Sequence, residues 1–221
     1  LFVSQAVIDA PTHGTIQYHP SLLPLHRGPS SINWPIIQGS TRTGLSIFWP
    51  DEGLDEGPIL FQKEIEIGPD DTLGSIYFDH LFPLGVDALL EGVDLVRAGN
   101  PPRIDQKHDN ATYESWCRKA DVGVDWSKPV QDVYNLIRGA NPQPGAWTTV
   151  DGNELKIFDS EIVEAAVAPG EVVGVSDEGI VVAADGGGIL IKRVRPHDAG
   201  KITAGEYIAS SGIAAGARLG G

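Results

Sequence analysis

Two polar clusters contain the side chains of this chain that are best suited to chemistry. The first runs from His19 to Gly28 and the second from Asp51 to Pro58. An imidazole next to a carboxylate is held in one tautomer and can transfer a proton or stabilise a developing oxyanion. We therefore take His19 and Asp55 as a candidate catalytic pair, and we expect the carboxylate to favour the protonated imidazole.

Each cluster also has a purely structural interpretation. A histidine at a strand end is more often a hydrogen-bonding residue of the fold, and acids between glycines often form a solvated turn. We expect that turn for Asp51, Glu52 and Glu56, whereas Asp55 is the acid expected to point inward. Ser21 lacks the strand-turn-helix elbow that exposes a nucleophilic serine, so a serine hydrolase is disfavoured.

The other histidines and the single cysteine do not form a metal-binding pattern. The six histidines are scattered, and Cys117 has no second cysteine to pair with. Because a zinc site needs three or four ligands at close spacing, we expect no metal ion in this protein.

An α/β arrangement is predicted to position the two clusters. Residues 15–19, 45–49 and 59–67 are β-branched or aromatic runs bounded by Gly or Pro, which predicts strands. Ser30 or Ser31 can begin a helix that ends near Gly39. A strand, a helix and a strand in succession predict a parallel pair with a right-handed crossover, so both clusters would share the carboxyl edge of one sheet.

The rest of the chain predicts a long helix and then a change of character. The spacing of apolar residues predicts a helical region from Asp70 to Gly99, broken at Pro83. Asn100–Asp109 is polar and rich in proline, which is typical of a linker. A short helix is predicted at Val130–Arg138.

Short strands with Gly, Asp and Ser turns follow this helix and predict a small antiparallel barrel. They are Leu155–Phe158, Glu171–Val175, Ile180–Ala184 and Ile189–Val194. Gly186, Gly187 and Gly188 lie between two of these strands and precede no helix, which indicates a hairpin turn rather than a phosphate-binding loop.

Charge and composition limit the partners. Sixteen basic and 30 acidic residues give a net charge of −14, which disfavours a general nucleic-acid or anionic-membrane surface. With no long apolar run, no leader and one cysteine, we expect a cytoplasmic protein that does not enter a membrane. The opening Leu1-Phe2-Val3 resembles the middle of a buried strand and the chain has no methionine, so we expect a fragment.

Both clusters resemble the 10-formyltetrahydrofolate-dependent formyltransferase family. The matching residues are His19-Pro20-Ser21-Leu22-Leu23-Pro24 with Arg27-Gly28, and Gly53-Leu54-Asp55 with Gly57. Val124-Asp125-Trp126, Ile137-Arg138-Gly139 and Pro144-Gly145-Ala146-Trp147 resemble the carboxyl-terminal barrel domain of the family. Ser46-Ile47-Phe48-Trp49 and Leu81-Phe82-Pro83 are most similar to the hydrolase domain of 10-formyltetrahydrofolate dehydrogenase.

The resemblance implies a Rossmann-like formyltransferase domain, incomplete at its amino terminus, over residues 1–112 including the linker. An OB-like antiparallel β-barrel would follow over residues 113–221. It also implies a one-carbon enzyme that takes 10-formyltetrahydrofolate as formyl donor and either releases or transfers the formyl group. The implied catalytic residues are His19, Asp55 and Gln17, and the implied folate-binding residues are Phe2, Val3, Ser4, Ser21, Leu22, Leu23, Gly53 and Leu54.

The resemblance leaves the formyl acceptor open. Gln17 stands where the transferases usually carry asparagine, and its extra methylene moves the amide by more than about 1 Å, which disfavours efficient formyl transfer and makes water a natural acceptor. A small-molecule acceptor is also expected. Methionyl-tRNA formyltransferase is an alternative, although residues 113–221 carry 10 basic and 15 acidic residues, a balance of −5. Arg193, Arg195 and Lys192 could still bind tRNA. A sugar-nucleotide formyltransferase and a non-catalytic folate-binding module are further alternatives.

Overall fold

The structure is a computed structural model that describes residues 3–220. They form two compact units. The first contains the described chain up to Pro35 together with Ser40–Trp116, and the second contains Ile36–Gly39 together with the chain from Cys117 onward. Among the described helices, none combines the length and apolar character that crossing a membrane requires.

The first unit contains one antiparallel sheet. After a short helix α1 (Gln5–Ile8), its strands are β1 (Gln17–His19), β2 (Arg42–Phe48) and β3 (Ile59–Glu66), in the order β1-β2-β3. The α/β class is therefore confirmed, but the predicted parallel pair is wrong because β1 and β2 run in opposite directions. The helix between them, α2 (Asn33–Ile37), has five residues. A parallel connection must return along the whole strand, and it usually needs a longer helix than this.

The register of β1 on β2 explains why the two polar clusters still meet. Gln17 pairs with Phe48, and His19 pairs with Ser46. Because β1 has only three residues, both of its ends lie close to the end of β2, where the second cluster begins. Reversing a strand of three residues moves its last residue, His19, by only two positions, which is about 7 Å. His19 therefore stays near the second cluster although β1 runs in the other direction.

The long helical region is divided at its proline. It consists of α3 (Leu73–Ser75), a π-helical segment (Ile76–Leu81) and α4 (Phe82–Ala98). Pro83 lies in the first turn of α4, where a missing N–H costs least. The predicted break is thus in the right place, but it takes the form of a widened turn before the proline.

A face of small residues packs α4 against the sheet. Gly85, Ala88 and Gly92 are its buried residues. A Cβ atom on Gly92 would lie 3.0 Å from a side-chain atom of Ile16, a tight contact, and 3.4 Å from side-chain atoms of Ile47 and Leu60. Glycine at this position therefore lets the helix approach the buried strands that hold the site.

The second unit contains two four-stranded antiparallel sheets. After α5 (Val130–Gly139), the strands are β4 (Ala146–Val150), β5 (Asn153–Ile157), β6 (Ser160–Val163), β7 (Val172–Ser176), β8 (Gly179–Ala184), β9 (Gly187–Ile191), β10 (Arg193–Pro196) and β11 (Ile202–Thr203). Helix α6 (Ala204–Ser211) follows. The strand orders are β11-β10-β5-β4 and β6-β9-β8-β7, so the described residues form no single closed barrel and the OB-like prediction is not confirmed.

The strand predictions for this unit are correct in direction but incomplete. The predicted strand Ile189–Val194 is two strands, β9 and β10, which are separated at Lys192 and belong to different sheets. Strands β4, β6 and β11 and helix α6 are additional. The predicted hairpin turn is confirmed, because Ala184 pairs with Gly187 and Gly186 between them has φ +79°.

Candidate active site

The structure brings His19 and Asp55 together. Nδ1 of His19 lies 3.5 Å from Oδ2 of Asp55, and both side chains are almost completely buried. The burial of Asp55 confirms that this acid points inward, whereas Asp51 and Glu52 are exposed. At 3.5 Å the contact is longer than a normal hydrogen bond.

A second contact fixes the tautomer of His19. Its Nε2 atom lies 2.9 Å from the carbonyl oxygen of His26. A carbonyl oxygen can only accept, so Nε2 carries a hydrogen and donates it. In the neutral ring, Nδ1 is then an acceptor that faces the Asp55 carboxylate, and this nitrogen is the one that can take up a proton.

Burial keeps the His19 ring neutral. Desolvation lowers the pKa of His19, and it outweighs the opposing effect of Asp55 and of the hydrogen bond to His26. Asp55 does favour the protonated ring, as the sequence-based expectation states, but its effect on the pKa is smaller than that of desolvation. A negative charge that develops in the site during a reaction would have to supply the missing stabilisation of the imidazolium.

Asp55 is held by the backbone around it. Its φ of +57° lies in the left-handed region, and its Oδ2 accepts a hydrogen bond of 2.9 Å from the N–H of Gly28. Gly57 follows, where a Cβ atom would lie 1.8 Å from the carbonyl oxygen of Trp49. Glycine is therefore required at position 57 for the loop to return against the end of β2.

Gln106 and Arg27 form a buried clamp on this loop. The Nε2 of Gln106 donates to the carbonyl oxygens of Asp55 at 2.9 Å and Gly57 at 2.7 Å. Its Oε1 accepts from Nη2 of Arg27 at 2.7 Å. Both side chains are buried, and the backbone of Ile104 pairs with Ile59. Part of the segment expected to be a linker is thus packed into the first unit.

A cavity of about 540 Å³ opens at this pair. Its lining residues are Gln17, His19, Pro20, Gly28, Pro29, Ser31, Leu54, Asp55, Tyr113, Ser115 and Trp116. The volume falls within the range typical of small-molecule sites. The structure therefore brings four of the sequence-predicted residues into one cavity: Gln17, His19, Leu54 and Asp55.

Ser21, Leu22 and Leu23 are not among the lining residues of this cavity. The hydroxyl of Ser21 donates to the carbonyl oxygen of Leu25 at 2.6 Å, and Ser21 is completely buried. Leu23 belongs to a small core cluster with Phe48 and Ile59. In the structure Ser21 and Leu23 thus hold the His19–Gly28 loop in place.

The remaining described residues of the expected folate-binding set are also not among the lining residues. Phe2 lies outside the described residues. Val3 is exposed, and Ser4 directly precedes α1 in an extended conformation. Gly53 donates its N–H to Asp51 within the exposed part of the second cluster.

The sequence reasoning missed Gln106, Tyr113 and Trp116 as site residues. Gln106 lies in a polar stretch that shows no periodicity, so no sequence pattern indicated its burial. Tyr113 and Trp116 are aromatic residues in a polar segment, a combination that is often found in binding sites and could have drawn attention to them.

Comparison with known protein families covers most of the chain. The family model described as "Formyl transferase" matches residues 1–83, and the model described as "Formyl transferase, C-terminal domain" matches residues 117–212. Methionyl-tRNA formyltransferase of Geotalea daltonii is 39% identical over 216 residues, which is 98% of this chain and 69% of that protein.

One longer relative and one solved structure are also similar to this chain. Cytosolic 10-formyltetrahydrofolate dehydrogenase of Xenopus laevis is 40% identical over 97% of this chain, but the chain spans only 25% of the length of that relative. The structure of HypX from Aquifex aeolicus in complex with tetrahydrofolic acid matches with a TM-score of 0.74 and 22% identity. The match covers 88% of this chain and 35% of HypX, and a similarity at this identity shows the fold alone.

Proposed function

Because this chain belongs to the formyl transferase family, we propose that it takes the formyl group of 10-formyltetrahydrofolate and releases it or transfers it at the His19–Asp55 pair. One observation carries this proposal: an imidazole and a carboxylate, 3.5 Å apart, line one cavity of small-molecule size. The formyl donor is a substrate of this reaction, and the reaction as proposed uses no metal ion.

The proposed chemistry starts from the neutral ring. The acceptor, a water molecule or an amine, attacks the formyl carbon on N10 of the donor. Its proton passes to Nδ1 of His19, directly or through the Asp55 carboxylate, while the formyl oxygen becomes an oxyanion. The N–H that forms on Nδ1 donates to this oxyanion, and such a donor is worth about 3–4 kcal/mol in the transition state.

The second step restores the site. The tetrahedral intermediate collapses, the bond from carbon to N10 breaks, and the proton on His19 passes to N10. The products are tetrahydrofolate and a formylated acceptor, which is formate when the acceptor is water. Throughout, Nε2 of His19 keeps its hydrogen bond to His26, so the ring does not have to turn between the two steps.

Gln17 contributes the amide of the proposed site. Its side chain is exposed and belongs to the cavity lining, next to His19 on β1. We assign it a hydrogen bond to the formyl group or to the acceptor. Phe2, Val3, Ser4, Ser21, Leu22, Leu23, Gly53 and Leu54 stay proposed folate contacts that await a bound ligand, and a cytoplasmic location also stays a prediction.

The direct test is a turnover assay. The protein is incubated with 10-formyltetrahydrofolate, with and without candidate amines, and formation of tetrahydrofolate is followed. Release in buffer alone indicates water as acceptor, and release only with an amine indicates transfer. Binding of the folate without turnover in every mixture would contradict the proposal and favour a non-catalytic folate-binding module.

A transfer RNA acceptor is the second candidate, because the Geotalea daltonii relative is named a methionyl-tRNA formyltransferase and is 39% identical. Phosphate contacts make RNA binding weaken steeply with added salt. Formylation of methionyl-tRNA that falls by orders of magnitude between low and moderate salt would therefore support this candidate over a small acceptor.

A further inference from the structure

Two exposed aromatic side chains line the cavity beside the proposed catalytic pair. Tyr113 is 55% exposed and Trp116 is 58% exposed, and both belong to the cavity lining together with Ser115. Covering a large, solvent-exposed apolar surface at a concave site with a planar group lowers the free energy of binding. We refer to Tyr113, Ser115 and Trp116 as the aromatic wall.

The aromatic wall is fixed to the first polar cluster by backbone hydrogen bonds. The N–H of Arg27 donates to the carbonyl oxygen of Thr112 at 3.1 Å, and the N–H of Glu114 donates to the carbonyl oxygen of Arg27 at 3.1 Å. The indole N–H of Trp34 donates to the carbonyl oxygen of Ser115 at 2.8 Å. The wall is therefore a positioned part of the site, and ligand binding does not have to order it.

The cavity lining offers no cation for a phosphate group. None of the eleven lining residues is a lysine or an arginine. Arg27 is near, but its guanidinium is buried and donates to Gln106 and His108. A phosphate placed in this cavity would therefore face the Asp55 carboxylate without a compensating positive charge.

The wall is also separate from the segments expected to hold the donor. Those segments precede β1, follow it at Ser21–Leu23 or belong to the second polar cluster, and of their described residues only Leu54 lines the cavity. The aromatic wall comes from none of these segments, so we assign it to the second substrate.

On this basis, and resting on the proposed function, we infer that Tyr113 and Trp116 form the acceptor side of the cavity and select a small, planar, uncharged amine over an acceptor that carries a phosphate. These two residues determine specificity by ring contact with the acceptor. The absence of lysine and arginine from the cavity lining disfavours a phosphate group. Replacing the indole of Trp116 should weaken binding of such an acceptor about tenfold, which corresponds to one aromatic contact.

A matched pair of acceptors tests this inference. Aniline and 4-aminophenyl phosphate present the same aromatic amine, without and with a phosphate. Formyl transfer from 10-formyltetrahydrofolate to each is measured in the unaltered protein and in the Trp116→Ala, Trp116→Phe and Phe78→Ala variants. Phe78 is an exposed aromatic residue of the same unit and is not among the cavity-lining residues, so it serves as the control.

The expected result is a lower KM for aniline than for 4-aminophenyl phosphate in the unaltered protein. Trp116→Ala should raise the KM for aniline about tenfold, and Trp116→Phe should restore most of the loss. Phe78→Ala should leave both the KM for aniline and formyl release to water unchanged. Equal KM values for the two amines, or a Trp116→Ala variant with an unaltered KM for aniline, would overturn the inference.

A calorimetric arm separates this inference from the proposed function. Binding of both amines is measured in the presence of 5-formyltetrahydrofolate, with no turnover required. If no formyl group is released to any acceptor, the proposed function fails. The wall is still tested, because preferential binding of aniline that depends on Trp116 supports it and binding that is independent of Trp116 contradicts it.

Discussion

The backbone N–H of Gly28 donates a hydrogen bond of 2.9 Å to Oδ2 of Asp55. The same oxygen lies 3.5 Å from Nδ1 of His19. One carboxylate oxygen thus joins the glycine of the first polar cluster to the imidazole of that cluster. Because a main-chain donor already orients the carboxylate, replacing the imidazole should leave Asp55 in position.

The first prediction concerns His19. His19→Ala should lower the turnover of 10-formyltetrahydrofolate at least about 100-fold, because it removes the group proposed to take up the proton and to donate to the oxyanion. Steady-state kinetics and far-ultraviolet circular dichroism measure activity and fold. His80→Ala, at an exposed histidine, should keep full activity. Near-normal formyl release by His19→Ala would contradict the proposed role.

The second prediction separates the charge of Asp55 from its shape. Asp55→Asn should lower kcat by about 10²–10⁴-fold, because the amide cannot pass a proton to or from the imidazole. Asparagine tolerates the φ of +57° at this position, and its oxygen can still accept from Gly28. Thermal unfolding should therefore be almost unchanged. A variant that loses stability as well as activity would show that Asp55 is mainly structural.

The third prediction uses two glycines with positive φ. Gly28 has φ +107°, and a Cβ atom there would lie 2.2 Å from the carbonyl oxygen of Glu114. Gly99 has φ +80° with nothing within 4 Å of a Cβ atom. Gly99→Ala should cost about 1–2 kcal/mol of unfolding free energy, and Gly28→Ala should cost more. Urea denaturation measures both, and equal costs would show that the close contact with Glu114 adds nothing.

The fourth prediction concerns pH and stability. Burial lowers the pKa of His19 in the folded protein, whereas in the unfolded chain the ring has its ordinary value of 6.5. Below that value the unfolded chain binds more protons than the folded one, so the unfolding free energy should fall as the pH is lowered through 6.5.

Urea denaturation between pH 5 and pH 8, a window of about 1.5 units to either side of the ordinary histidine value, measures this dependence. His19→Gln should flatten the curve below pH 6.5, since it removes the titrating ring. The exposed His80→Gln variant should not. An unchanged slope in His19→Gln would show that other groups account for the acid sensitivity.

The two residues of the candidate pair were predicted from the sequence, but the relative direction of β1 and β2 was not. Residue type and position next to a strand selected His19 and Asp55, and their 3.5 Å contact agrees with that choice. The predicted parallel pair is wrong because the helix after the first polar cluster is only five residues long. Its short length could not be read from apolar spacing, since Pro35 and Gly39 allow several end points.

The hydrogen bonds that hold the Asp55 loop in place could not be predicted from local sequence patterns. Gln106 is buried because its amide bonds the carbonyl oxygens of Asp55 and Gly57, residues about fifty positions earlier in the chain. Neither periodicity nor a turn signal reports such a distant partner. The direction of the His19 pKa was also missed, because the desolvation that lowers it depends on packing rather than on the neighbouring acid.

The attachment of Thr112 and Glu114 to Arg27 has a consequence for how the protein matures. These residues are separated by more than eighty positions, so the site is completed only by a contact that closes a long loop. During synthesis on the ribosome, His19 and Asp55 emerge well before the segment that encloses them. The candidate active site should therefore be completed late, after most of the first unit has already acquired its secondary structure.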